Sequence, residues 1–329
     1  NPQTGEILAL ATSPGFDNNE FFSSKAKSHR IRSITDQFEP GSTFKPFAAI
    51  AGISNKIMGI YDEFNCENGE YIFYDIPIRD HEKRGILSLP QIISFSSNVG
   101  IVKIAEKIGS NNLYATTRSF GFGSKTGINL NGESKGKLNP TKSWSAVSLG
   151  QIAMGHEVAV TALQLAMAYS AIANGGYLLK PLLIKSILNQ SNEIVYEEKS
   201  NIIRKISDES TMRDLREILR GVVAEGTGHN AEVKGWDIAG KTGTAQKFQN
   251  GKYSDNQFIS NFIGFFPYKN PQVLVFVMLD EPEVPYHWGA EGAAVAFKRI
   301  ATRIINMDDN IIPPSPKSKT LAEFKIKEE

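Results

Sequence analysis

The chain of 329 residues has a single cysteine, Cys66, so no disulfide can close within it. Cysteine therefore says nothing about compartment. No run reaches the roughly 18 to 20 consecutive apolar residues that a membrane helix needs, and no signal-peptide pattern opens the chain. An excess of one charge is missing too, since 36 Lys and Arg against 35 Asp and Glu leave +1. That balance excludes a general field toward nucleic acid or anionic lipid, and no nucleic-acid partner is expected. The five histidines are scattered. "GHEVAVT" at 155 to 161 lacks the second histidine of a zinc-protease helix, so His156 reads as structural and neither metal nor cofactor is expected. No internal repeat is present.

What is there is ordinary globular composition, 41% hydrophobic and 22% charged. "NPQTGEILALATSP" alternates from its first residues and predicts an opening strand, and a chain starting at a strand edge reads as a piece of something longer. Helices are expected over 42 to 54, 86 to 95, from 161, over 208 to 225 and over 290 to 306. The second is followed by a Ser96, Ser97, Asn98 knot and a periodic run closed by Gly109. Residues 110 to 145, rich in Gly, Asn and Ser, read as loop. A hairpin is expected around 190 to 192, followed by three strands, "DIAGKTGTAQKF", "FISNFIGFFPY" and "QVLVFVMLDE", with short connections that make them antiparallel. The fold class is α+β, an antiparallel sheet flanked by helices, with the helices of 86 to 174 forming a lobe. One domain should cover 1 to 306, with a poorly ordered, Pro- and Lys-rich tail over 307 to 329.

Three short patterns carry chemistry, and each recurs. Ser-x-x-Lys occurs at Ser24/Lys27, Ser42/Lys45 and Ser134/Lys137. Only Ser42 stands at the start of an apolar-periodic helix, where serine and lysine share a face and free N–H groups point at the turn. A serine needs a base within reach, and a lysine can serve only when burial or a nearby cation keeps it neutral. The bland reading is a helix cap beside an exposed lysine. Lys-Thr-Gly occurs at 125 to 127, in the Gly-rich loop, and at 241 to 243, inside a strand. Gly243 is costly in a strand unless something approaches the backbone closely, and a strand carrying Lys241, Thr242 and Thr244 suits an extended peptide with a carboxylate. Ser-x-Asn occurs at 96 to 98, 110 to 112 and 254 to 256. The first lies in a tight break between helices. Ser110 and Asn112 read as a helix cap, and Ser254 to Asn256 as hairpin chemistry.

Ser-x-x-Lys, Ser-x-Asn and Lys-Thr-Gly in that order are the signature of penicillin-recognising serine enzymes. With "DQFEPGSTFKP", "SSNVG", "FGFG", "VTALQLAMAYSAIANGG" and "IAGKTGTAQ", the chain resembles the transpeptidase domain of class B penicillin-binding proteins from about residue 3 to 303. "SNFIGFFPYKNPQVLVFVMLDEP" leans to the septal, cell-division type. The resemblance implies Ser42 as acyl-accepting nucleophile, Lys45 as its base, Ser96 as proton carrier and Asn98 as holder of the substrate amide. It implies Lys241, Thr242, Gly243 and Thr244 as the strand that binds the terminal carboxylate, with the N–H groups of Ser42 and Thr244 as oxyanion hole. It also implies D-Ala-D-Ala stem peptides and β-lactams as ligands, and a glycosyltransferase and other division proteins as partners. The domain would lie on the periplasmic side of the inner membrane, held by a single-pass anchor outside this chain.

Rival readings are a class D-like β-lactamase or β-lactam sensor, a D,D-carboxypeptidase with water as acceptor, and a non-catalytic division scaffold. Against the first stand Asn98, where such proteins tend to carry an apolar residue, and the 86 residues that follow Gly243. Tyr286, His287 and Trp288 are candidates for the lining of an entrance.

Overall fold

The computed structural model describes residues 1–249, 251–308 and 310–314. In chain order it runs α1 (Arg32–Thr35), α2 (Lys45–Ser54), β1 (Glu63–Asn65), β2 (Glu70–Phe73), β3 (Ile76–Arg79), β4 (Ile86–Ser88), α3 (Leu89–Ser94) and α4 (Asn98–Ser119). There follow α5 (Ser148–Met154), α6 (Ala162–Ala173), β5 (Tyr177–Leu179), β6 (Ser186–Leu188), β7 (Ile194–Glu197), β8 (Ile202–Lys205) and α7 (Glu209–Ala224). The chain then forms β9 (Ala239–Gln249), β10 (Lys252–Phe266), β11 (Val273–Asp280) and α8 (Ala293–Met307).

The three long strands make an antiparallel sheet in the order β11-β10-β9, which leaves β9 on an edge. Because successive side chains alternate between faces, β10 serves two cores. Ile259, Ile263 and Phe265 join the large cluster formed with α2 to α7. Phe262 and Phe266 join a second one with Ala293, Phe297 and Ala301 of α8. Helices thus cover both faces. Local signals set the helix ends: Thr161 accepts the Gln164 N–H at 3.1 Å to start α6, and Asp208 caps α7 through the Thr211 N–H at 2.8 Å.

Several expectations change. Residues 7 to 14 do not join the main sheet; Glu6 alone bridges Leu182, and Leu8 stays 67% exposed. One face of the alternation, Ile7, Ala9 and Ala11, is mostly alanine and offers little apolar surface to hold a strand. Residues 86 to 88 pair with β1, so the expected helix starts only at Leu89. Helical structure resumes after a break at Gly109 (φ 76°) and runs through 119, within the stretch read as loop. Buried Leu113 and Thr117 supply the inner face that the polar Ser110, Asn111 and Asn112 hide. Helix α6 packs on β5 and β11, so the lobe gives way to the sheet before residue 174. The expected tail begins docked: Ile311 is buried, and Gln272 bonds Ile312 through both N–H (2.9 Å) and C=O (2.7 Å). Residues 315 to 329 lie outside the described residues.

Candidate active site

The site forms where the start of α2, the α3–α4 junction and β9 meet. Gly41, at φ +57°, begins a tight 3-10 turn, Gly41–Phe44, that feeds α2. A Cβ at Gly41 would stand 2.9 Å from the Thr244 carbonyl oxygen, and one at Gly155 would stand 2.1 Å from Gly41 O. Three backbones therefore touch at a place where only glycine fits. The turn is braced from inside: Thr43 Oγ1 donates to Pro40 O at 2.8 Å, and the buried Tyr169 hydroxyl donates to Thr43 O at 2.7 Å. Phe44 and Phe47 pack on Phe120 and Phe122, which is what "FGFG" contributes. Ser42 sits half-buried on this fixed turn.

Lys45 is fully buried. Its Nζ donates to Ser96 O at 2.5 Å, Asn98 Oδ1 at 2.7 Å and Ser96 Oγ at 3.2 Å. Burial pushes its pKa down to about 7, against a smaller opposing pull from the Asp80 carboxylate. A lysine that is often neutral at physiological pH is what a proton acceptor requires.

Ser96 holds a left-handed φ of +60° in the break between α3 and α4. That conformation is uncommon for a residue with a Cβ and persists only when its surroundings fix it. The fixing agent is Asp80, which the sequence reading passed over. Its carboxylate accepts the N–H groups of Asn98 (2.5 Å) and Val99 (2.9 Å) and the Ser97 hydroxyl (2.6 Å). It thus caps the N-terminus of α4, where free N–H groups favour an anion. Asn98 Nδ2 is tied to Arg79 O at 2.8 Å. Asp80 lies in the uniformly polar "RDHEKRG", where neither periodicity nor spacing marks it out.

On β9, Lys241 is fully buried, and its one acceptor, Thr242 O, is 3.4 Å away. Burial, and then the charge of Lys45, hold its ammonium well below the ordinary lysine range. Two buried lysines thus lie close together, and the charge of Lys45 favours the neutral form of Lys241. Thr242 Oγ1 pairs with Thr227 Oγ1 at 2.8 Å, and Thr244 Oγ1 accepts the Gly289 N–H at 2.9 Å. Thr227 too was missed, because "EGTG" past α7 signals only a helix end. Gly243 has a close neighbour, as its strand position demanded: a Cβ there would meet Asn261 Oδ1 at 2.5 Å and Pro40 O at 2.8 Å. Asn261 is itself fully buried with both amide atoms unpaired.

The eight sequence-nominated residues therefore come together at one place, and none of the repeats elsewhere enters that cluster. Thr126 gives its N–H and hydroxyl to Glu133 Oε1, each at 2.6 Å, closing the loop turn. Ser24 pairs with His29, and Ser254 caps a β10 bulge through the Gln257 N–H. Trp288 and His287 stand in the loop after β11. Trp288 reaches His81 with ring centroids 5.3 Å apart, beside the pinned Gly289, so this loop does border the cleft.

The antiparallel sheet between a helical lobe and a closing helix is the architecture of penicillin-recognising serine transpeptidases. Residues 1–302 match the family model described as penicillin binding protein transpeptidase domain, and the chain belongs to that family. It is of the class B, septal type represented by penicillin-binding protein 3 and PenA. The chain is 35% identical to the stage V sporulation protein D of Bacillus subtilis, over 89% of this chain and 46% of that protein. It is 33% identical to the probable peptidoglycan D,D-transpeptidase PenA of Neisseria meningitidis, over 93% of this chain and 50% of that one. The chain thus spans about half the length of these curated relatives. Among solved structures, the transpeptidase domain of Burkholderia pseudomallei penicillin-binding protein 3 superposes with a TM-score of 0.81 at 29% identity, covering 94% of this chain and 88% of that one. Mycobacterium tuberculosis penicillin-binding protein 3 complexed with aztreonam gives 0.78 at 29%, covering 86% and 65%.

Proposed function

We propose that the domain is a peptidoglycan D,D-transpeptidase whose acyl-enzyme forms on Ser42. The observation that carries this is Lys45, fully buried, held by Ser96 and Asn98, and depressed to about 7. Neutral Lys45 takes the Ser42 proton as Oγ attacks the D-Ala-D-Ala carbonyl. The N–H groups of Ser42 and Thr244 receive the oxyanion, and the contact between Gly41 and Thr244 O supports that pairing by bringing the two backbones together. The proton passes through the Ser96 hydroxyl to the leaving D-Ala amine as the C–N bond breaks. An amine from a neighbouring stem then attacks the ester and gives its proton to Lys45, which returns it to Ser42 Oγ as the ester bond breaks. Lys241, Thr242 and Thr244 hold the terminal carboxylate of the donor.

A β-lactam would acylate Ser42 by the same first step, and the aztreonam complex of the tuberculosis relative supports a β-lactam target. The septal type supports a place in division wall synthesis, beside a glycosyltransferase and other division proteins. The same type supports a location on the outer side of the cytoplasmic membrane, with a single-pass anchor outside this chain. Among the described residues no helix is long and apolar enough to cross a membrane.

Intact-mass spectrometry after incubation with a penicillin, mapped to the modified peptide, is the test. A long-lived single adduct on Ser42 that is lost in Ser42→Ala supports the reading. Rapid turnover of the drug moves it to a β-lactamase, and an adduct elsewhere or none removes Ser42 from the role.

A further inference from the structure

A groove of about 840 Å³ continues the cleft along β9 beyond Thr244. Ala245, Gln246 and Lys247 form one wall, and Glu39, Lys137 and Glu157 stand opposite. Since β9 is the last strand of its sheet, its far edge has no strand beside it among the described residues. An extended peptide laid there advances about 3.3 Å per residue. With the donor carboxylate at Thr242 and Thr244, the third stem residue, one before the acyl D-Ala, falls beside Ala245 to Lys247. This placement rests on the transpeptidase reading above.

The groove contains four charged side chains, and two are already spent. Lys247 pairs with Asp280 and Glu281, each at 2.6 Å. The Glu39 carboxylate takes His156 Nδ1 at 2.9 Å, the Glu157 N–H at 3.0 Å and the Tyr253 hydroxyl at 3.1 Å. Lys137 is exposed and has no ion pair among the described residues, and the Glu157 carboxylate accepts only from Ser148 Oγ at 2.6 Å. Their positions are fixed, because Lys137 and Ala159 exchange backbone hydrogen bonds at 2.6 and 2.9 Å. Glu157 also holds φ +53°, a conformation unfavourable for a side chain of its size. One free cation and one free anion facing a common groove suit a side chain that ends in both an ammonium and a carboxylate.

We infer that this groove is the subsite for a zwitterionic third stem residue, with Glu157 receiving its ammonium and Lys137 its carboxylate. The test compares acylation of this chain by three donor thioesters, acyl-X-D-Ala-D-thiolactate, with X as meso-diaminopimelate, lysine or norleucine. The expected order is diaminopimelate, lysine, norleucine, about two- to fivefold apart per charge, as for partly screened pairs. Lys137→Met should erase the first step and Glu157→Gln the second. Ratios between probes are read, so a general loss of acylation in a variant cancels. Equal acylation by all three probes, with penicillin still modifying Ser42, overturns the subsite and leaves the transpeptidase reading standing. No penicillin adduct on Ser42 overturns both.

Discussion

Lys-Thr-Gly is written twice in this chain, and the two regions share nothing but the letters. At 125 to 127 the lysine is exposed and the threonine is consumed by the buried Glu133, so the tripeptide closes a turn. At 241 to 243 the lysine is buried without a good acceptor, beside a second buried lysine, and the glycine admits a neighbouring amide and a carbonyl. Residue types supply the functional groups, but desolvation and the loss of internal partners give them work to do.

Lys241→Met should break the comparison most clearly. Penicillin acylation of Ser42, followed by stopped-flow or mass spectrometry, is expected to fall about 10²- to 10³-fold, as for loss of one charge-stabilising group, whereas Lys125→Met leaves it within about twofold. The glycines come next. Gly243→Ala drives a methyl into Asn261 and Pro40 and should cost about 2 to 3 kcal/mol in denaturant unfolding. Gly127→Ala meets nothing nearer than 3.9 Å, but φ +81° costs about 1 kcal/mol.

pH separates the regions on a smaller scale. With Lys45 titrating about 7 and required neutral, acylation should climb roughly tenfold between pH 6 and 8. A flat profile would take the base role from Lys45. The same depression has a stability sign. Between about 7 and 10.5 the unfolded chain binds this proton and the folded chain does not, so Lys45 makes stability rise with pH across that window. The smallest effect belongs to the loop: Glu133→Gln should cost about 1 kcal/mol of stability while the folded fraction acylates at an unchanged rate.

The legible parts of the sequence were those with local punctuation. Thr161, Asp208 and the three alternating runs announced α6, α7 and the sheet, and glycine in a strand announced a close approach at Gly243. Asp80 was illegible because its task, capping α4 from a hairpin 18 residues upstream of Asn98, exists only after the chain folds back. Tyr169, which no local pattern singles out, likewise shows only in three dimensions that its hydroxyl braces the turn of Ser42. Of helix 110 to 119 only the cap residues Ser110 and Asn112 were legible, and its extent was lost because polar letters fill its first turn.

The Gly289 N–H that reaches Thr244 Oγ1 has a consequence for what the cleft can admit. A hydroxyl that is already receiving a proton turns its own hydrogen elsewhere, and the loop that carries Gly289 is a fixed crossing rather than a bystander. The Thr244 hydroxyl thereby keeps its own hydrogen to offer to a group arriving at the strand. A free carboxylate arriving there finds a proton waiting, whereas an amide presenting its N–H meets another hydrogen. On the transpeptidase reading proposed above, a stem that ends in a free acid would therefore be favoured over a capped one by a hydrogen bond that starts 45 residues away in sequence.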